Sequence, residues 1–198
     1  MTMPLDDDSF QSEAEDLAAY ARGDAAAARR LTARLTPRVY AQAFRMLGDA
    51  AEAEDVAQEA MMRLWRAAPD WRAGEAKVTT WLYRVAANLC TDRLRKRRRD
   101  GPDLDAIPEP ADPAPGAEAG LLDVARHDAL GAALMMLPER QRMAVVLRHI
   151  EGLSNPEIAE VLDVGVEAVE SLTARGKRAL RAALAPQRAA LGFEDDGI

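Results

Sequence analysis

Residues Leu153–Leu180 read LSNPEIAEVLDVGVEAVESLTARGKRAL. Ser154 can cap a helix, and Glu157, three residues on, can complete a capping box. Ile158, Ala159 and Leu162 then give a short apolar face. Asp163-Val164-Gly165 breaks that pattern. A longer helix follows, with Val169, Leu172, Gly176 and Leu180 spaced to face inward. Two helices joined by so short a turn make a helix-turn-helix, whose second helix normally lies in the DNA major groove.

The bulk composition does not suggest such a partner. The chain has 198 residues, 30% of them charged, with a net charge of −7. A nucleic-acid binder is usually basic. Apolar residues make up 48% and aromatics only 5%, which favours a helical globular chain. One cysteine, Cys90, excludes an internal disulfide framework and fits a reducing, cytoplasmic setting. His127 and His149 are the only histidines, too few for a zinc site or a Cys-His nucleophile. The opening MTMPLDDDSF is acidic and is no secretory signal. No apolar run approaches the ~20 residues of a membrane span.

The acid is unevenly placed. Residues 1–28 form an acidic segment whose first dozen residues are expected to be disordered, with a first helix from about Glu13. Residues 29–99 form a net basic helical domain. Residues 100–120, including GPDLDAIPEPADPAPGAEAG, read as a flexible acidic linker rich in proline and alanine. A linker of ~20 residues spans roughly 25 Å as a coil. Residues 121–191 form a second helical domain that holds the helix-turn-helix, and 192–198 a polar tail. The expected fold class is all-α, two small helical domains on a tether.

Three helices are expected in the first domain. Ala28–Leu47 carries Leu31, Leu35, Val39, Ala43 and Leu47 at helical spacing, with an interruption at Pro37. Asp49 can cap the next helix with Glu52 at its third position. That helix buries Val56, Ala60 and Leu64 and collects Glu52, Asp55, Gln58 and Glu59 on the other side. The third, Thr79–Arg99, has an apolar stripe of Leu82, Val85, Ala86, Leu89 and Leu94 and ends in Arg93, Arg95, Lys96, Arg97, Arg98 and Arg99. So dense a cationic end suits phosphate contacts as well as the helix macrodipole. Trp71, Trp81 and Tyr83 lie just upstream, and aromatics among bases suit either core packing or stacking on single-stranded DNA. Cys90 reads as a small buried hydrophobe.

Four stretches together resemble the extracytoplasmic-function sigma factors, small bacterial initiation factors with two domains. They are DVAQEAMMRLWR (Asp55–Arg66), WRAGEAKVTTWLYRVAANLCTDRLRKRRR (Trp71–Arg99), LPERQRMAVVLRHIEGLSNPEIAEVL (Leu137–Leu162) and VEAVESLTARGKRALR (Val166–Arg181). The resemblance implies that Glu54, Asp55, Gln58 and Glu59 dock on a coiled coil of the β′ subunit of core RNA polymerase. It implies that the loop from Arg72 to Val78 and the helix after it open the upstream half of the bubble at the −10 element. Arg72, Lys77, Trp81, Arg84, Asn88, Arg93, Arg95 and Lys96 would there contact promoter DNA, with Asn88 near a flipped base. The second domain would read the −35 element through Glu167, Glu170, Ser171, Ala174, Arg175 and Arg178. Arg175 is the strongest base-edge or phosphate candidate among them. Further implied partners are the polymerase β subunit and an anti-sigma factor, with no membrane insertion.

The sequence departs from that family's common pattern at three places. Glu170 stands where a base is frequent, Leu172 where arginine is frequent, and Gly165 at a cap usually held by Ser or Thr. A carboxylate in the major groove repels phosphates unless it accepts from a cytosine amino group. Weak intrinsic DNA affinity of the second domain is therefore expected. The competing reading is a stand-alone helix-turn-helix regulator, which leaves the Trp71–Arg99 segment and the acidic helix face without a role. An enzyme is not expected: no metal-ligand spacing, no phosphate-cradling glycine loop and no Cys-His pair appears, and no cofactor is called for.

Overall fold

The computed structural model describes the backbone of residues 7–72, 77–100 and 118–187, and the side chains of 12–72, 77–100 and 125–187. These residues are helical, without strands, in the order α1 (Asp7–Ala21), α2 (Ala25–Leu47), α3 (Ala50–Ala67), α4 (Val78–Asp100), α5 (Glu118–Met135), α6 (Glu139–His149), α7 (Asn155–Leu162) and α8 (Val166–Leu184). Short 3₁₀ turns follow α3 and α8. Residues 1–6, 73–76, 101–117 and 188–198 lie outside this description, as do most of the expected linker and the expected tail.

Two boundaries differ from the sequence reading. The first helix starts at Asp7 rather than Glu13, so the expectation of disorder over the first dozen residues fails from Asp7 onward. Leu17 of α1 is fully buried against the first domain, and Asp16 accepts two hydrogen bonds from Arg30, at 3.0 and 2.6 Å, which ties α1 to α2. At the other end of the linker, α5 already begins at Glu118.

Pro37 does not interrupt α2, which runs unbroken from an Asp24 cap to Gly48. Losing one backbone hydrogen bond is outweighed by Leu31, Leu35, Val39, Ala43, Met46 and Leu47, all buried on one face. Each of these side chains but Ala43 contributes about 1.5–3 kcal/mol on burial. Gly48 ends the helix in the left-handed conformation (φ 67°), which a residue with a Cβ adopts at a cost. Arg97 reaches back from α4 to donate to the carbonyl of Leu47 at 3.1 Å.

The expected caps are present. Asp49 accepts from the Glu52 amide at 2.8 Å and starts α3. Ser154 and Glu157 form a full capping box on α7, and Gly165 precedes α8 with no side-chain cap. Asp163 carries the turn between them with φ 51°, a left-handed conformation that Asp tolerates better than most residues. Gly176 lets α8 lie close on α6: a Cβ there would stand 2.6 Å from Val145 Cγ2 and 3.0 Å from the Gln141 carbonyl oxygen.

The two helical blocks pack against each other. Met143, Leu147, Leu153, Ile158, Val161 and Val169 of the second block join the same buried apolar cluster as Leu82, Ala86 and Cys90 of the first.

Candidate polymerase and promoter interface

The acidic face of α3 is largely open. Glu54, Asp55 and Gln58 are exposed and Glu59 half-buried. Two of these carboxylates are engaged within the chain. Arg93 Nη2 lies 3.4 Å from Asp55, and Arg63 Nε donates to Glu59 at 2.8 Å. The hydrogen bond from Arg63 holds the Glu59 carboxyl below the usual glutamate range.

On α4 the candidate DNA residues divide by helical phase. At 3.6 residues per turn, Trp81, Arg84, Asn88 and Arg95 fall within roughly 60° of one another. Arg84, Asn88 and Arg95 are exposed on that side. Arg93 points the opposite way, against α3, where Asp55 neutralises it. Lys96 is exposed, and Arg95 is paired with Asp92 at 2.9 Å. Arg72 and Lys77 are exposed at the ends of the loop, and the loop residues 73–76 lie outside the described residues.

The aromatics do not act as one group. Trp71 and Trp81 are half-buried and meet edge to face, with centroids 5.7 Å apart. Tyr83 is withdrawn from any stacking role: it is buried, and its hydroxyl donates to Glu151 of the second domain at 2.7 Å. Burial, and then the neighbouring Glu151 carboxylate, push its pKa up. Sequence spacing alone left Tyr83 beside Trp81 as a possible platform. What separates them is the helical stripe, which places Tyr83 with the buried Leu82 and Ala86.

In α8, Glu167, Glu170, Ser171, Ala174, Arg175 and Arg178 are all exposed, while Val169 and Gly176 are buried on the opposite side. Arg175 Nε donates to the Ser171 carbonyl at 3.2 Å, which leaves its terminal nitrogens for a ligand. Glu170 lies 3.5 Å from Asn155 Nδ2 at the start of α7.

The structure brings Asn88 and Arg95 of α4 and Arg175 of α8 to one cleft, whose other walls include Arg98, Glu139 and Arg140. Among the described residues no cluster of His, Cys, Asp and Glu could hold a metal, and no helix is long and apolar enough to cross a membrane. Cys90 is buried, and that burial pushes its thiol up to about 12.

Sequence reasoning missed the contacts across the two blocks. Lys77 pairs with Glu157 at 2.9 Å and Arg98 with Glu139 at 2.5 Å. Arg45 lies 3.3 Å from Glu151. Burial alone would raise the Glu157 carboxyl. The hydrogen bonds from Ser154 and Lys77 outweigh it and hold the group below the usual range.

Comparison with known proteins matches both helical blocks. The family description Sigma-70 region 2 matches residues 31–100, and Sigma-70, region 4 matches residues 127–180. The chain is 34% identical over 154 residues to the ECF RNA polymerase sigma factor SigW of Bacillus subtilis, covering 73% of this chain and 81% of that one. It is 36% identical over 175 residues to the RNA polymerase sigma-H factor of Pseudomonas aeruginosa, covering 83% and 90%. The ECF RNA polymerase sigma factor SigE of Mycolicibacterium smegmatis is 38% identical over 152 residues, 75% of this chain, which spans 58% of SigE's length. Among solved structures, CnrH in complex with the cytosolic domain of CnrY superposes with a TM-score of 0.64 at 28% identity, covering 88% of this chain and 98% of that one. With both regions matched in order on one chain and relatives similar over most of their length, this chain belongs to the ECF family of RNA polymerase sigma factors.

Proposed function

We propose that the chain is an alternative sigma factor that binds core RNA polymerase and directs promoter recognition, DNA melting and initiation under the control of an anti-sigma factor. The observation that carries this reading is the presence of three exposed polar surfaces on one chain: acids on α3, basic and polar side chains on α4, and a polar face on α8. In this reading Glu54, Asp55, Gln58 and Glu59 meet the β′ coiled coil. Arg72, Lys77, Trp81, Arg84, Asn88, Arg95 and Lys96 hold the −10 region, while Arg93, turned onto Asp55, drops out of that set. Glu167, Glu170, Ser171, Ala174, Arg175 and Arg178 lie in the −35 major groove. Residues 29–99 and 121–191 act as the two working domains, joined by 100–120. The factor supplies no catalytic group, needs no cofactor and works in the cytoplasm beside its polymerase. CnrH, with which it shares fold and sequence, is bound to the cytosolic domain of CnrY, which supports a comparable partner here.

The deciding experiment reconstitutes the purified chain with core RNA polymerase from the cognate source. Co-elution and new sequence-selective starts in run-off transcription from a genomic promoter pool are expected. Absence of a complex would move the weight to a stand-alone regulator.

A further inference from the structure

Among the described residues the methionines fall into two sets. Met46, Met61 and Met143 are at most 5% exposed, whereas Met62, Met135 and Met136 are 41%, 40% and 75% exposed. An exposed thioether takes up oxygen from peroxide, and a buried one is spared. Met135 closes α5, and Met136 begins the turn into α6. Met135 differs from the other exposed pair in its neighbour: Arg142 Nη1 donates to its sulfur.

That donor is poorly served. Arg142 is 5% exposed on α6, and its Nε has no hydrogen-bond partner. The carboxylate whose charge reaches it, Glu139, is already paired with Arg98. A thioether is a weak acceptor, so a buried guanidinium here has little to offset its lost water. We propose that Met135 is a reversible oxidation site and that Arg142 receives the oxygen placed on its sulfur.

The step is a two-electron oxygen transfer from hydrogen peroxide. The sulfur lone pair forms an S–O bond as the O–O bond breaks. The proton of the transferred hydroxyl passes to the departing oxygen, which leaves as water. In reverse, two thiols of a sulfoxide reductase are oxidised to a disulfide and the oxygen leaves as water. The sulfoxide oxygen is a far better acceptor than the sulfur it sits on, and it is one bond away from the Arg142 donor. Gly48 leaves the room. A Cβ there would stand 3.3 Å from the Met135 sulfur and 3.1 Å from its methyl, and without one the flexible side chain can turn the oxygen inward. Sulfoxides at Met62 and Met136 face water and gain nothing comparable. At Met135 the new polar group meets a polar group that lacked a partner, so the mark is carried without loss of the fold.

The test uses the full chain with Met62→Leu and Met136→Leu, which leaves Met135 as the one exposed methionine among the described residues. It is treated with dilute hydrogen peroxide, and peptide mass mapping reads each site. Oxygen is expected on Met135, with Met46, Met61 and Met143 unmodified. The thermal midpoint is expected to hold or rise on oxidation. With Arg142→Leu added, the same oxidation should lower it by about 2–4 °C, the scale of one unpaired polar group in a chain of this length. A Met135→Leu chain treated alongside subtracts any effect at Met1 and Met3. A second readout needs no change at Arg142. With one sulfur lone pair against the guanidinium, oxygen enters from the other side and gives one epimer. One of the two epimer-specific reductases should therefore restore Met135 almost completely, whereas each restores about half of Met136 in the unsubstituted chain. Met135 left unmodified while Met136 is fully oxidised would overturn the site. An equal fall in midpoint with and without Arg142 would overturn the role of Arg142, and so would a mixture of epimers at Met135.

Discussion

Glu13 illustrates how much a single residue can bias this fold. Its carboxylate is 1% exposed, neither oxygen has a hydrogen-bond partner, and Arg38 approaches only to 4.0 Å. Burial raises its pKa, and Arg38 and then Arg34 offset this only in part. A raised folded-state value means the folded chain binds the proton more tightly than the unfolded one. The stability from this group is thus complete below the ordinary glutamate range and lost as pH rises through the raised value. Glu13→Gln should flatten that loss and stabilise the chain at pH 7 by about 1 kcal/mol, the scale of one unsatisfied buried group. Denaturant midpoints at pH 5 and pH 7.5 check it; an equal fall with pH in both proteins would refute the assignment. Arg175 is the converse case, exposed and with its guanidinium end free. Arg175→Ala should cost ~1–3 kcal/mol of promoter selection if the contact is bidentate to a base. A loss of a few tenths in competition binding would return it to solvent.

At the scale of the helix, legibility followed the locality of the cause. The α7–α8 pair was readable because its capping box and its inward residues lie within a few positions of one another. α2 was misread at Pro37 because the six apolar residues that keep it continuous act through tertiary burial, which local propensity cannot register. The Tyr83–Glu151 bond joins residues 68 positions apart, and Arg45 and Glu151 are 106 apart, so no pattern in the chain announces them. The candidate site was legible as residue types on faces: Glu54, Asp55 and Gln58 of α3 and the polar face of α8 are exposed, as their spacing required, and Glu59 is half-buried. The inward turn of Arg93 onto Asp55 was not. Two changes test the elements. Gly176→Ala should destabilise the second domain by about 1–3 kcal/mol, because the added methyl meets Val145 and the Gln141 carbonyl. Thermal melts of the full chain measure it. Asp55→Lys with Glu59→Lys should abolish co-elution with core polymerase and leave the helical signal of the folded chain unchanged. Undiminished binding would remove α3 as the docking face.

For the whole molecule, a net acidic chain can serve a polyanionic template because its charge is partitioned. Arginines gather along α4 and the cleft, while acids cover α3 and the segments flanking the domains. The exposed rim pairs between domains are screened by salt. Raising ionic strength should thus expand the free chain slightly while weakening its contact with phosphates, two opposed trends that scattering and binding separate. Cys90 offers a further use of the same architecture. Its thiol is fully buried, and its charged neighbours come from both sides of the junction: Glu52 and Arg93 from one block, Glu139 and Arg142 from the other. Sealed and protonated, it is a poor target for peroxide. As the only sulfhydryl in the chain it is also a built-in clock. Alkylation can proceed only during excursions that uncover it, and the dependence of its rate on reagent concentration separates how often those excursions occur from how long they last.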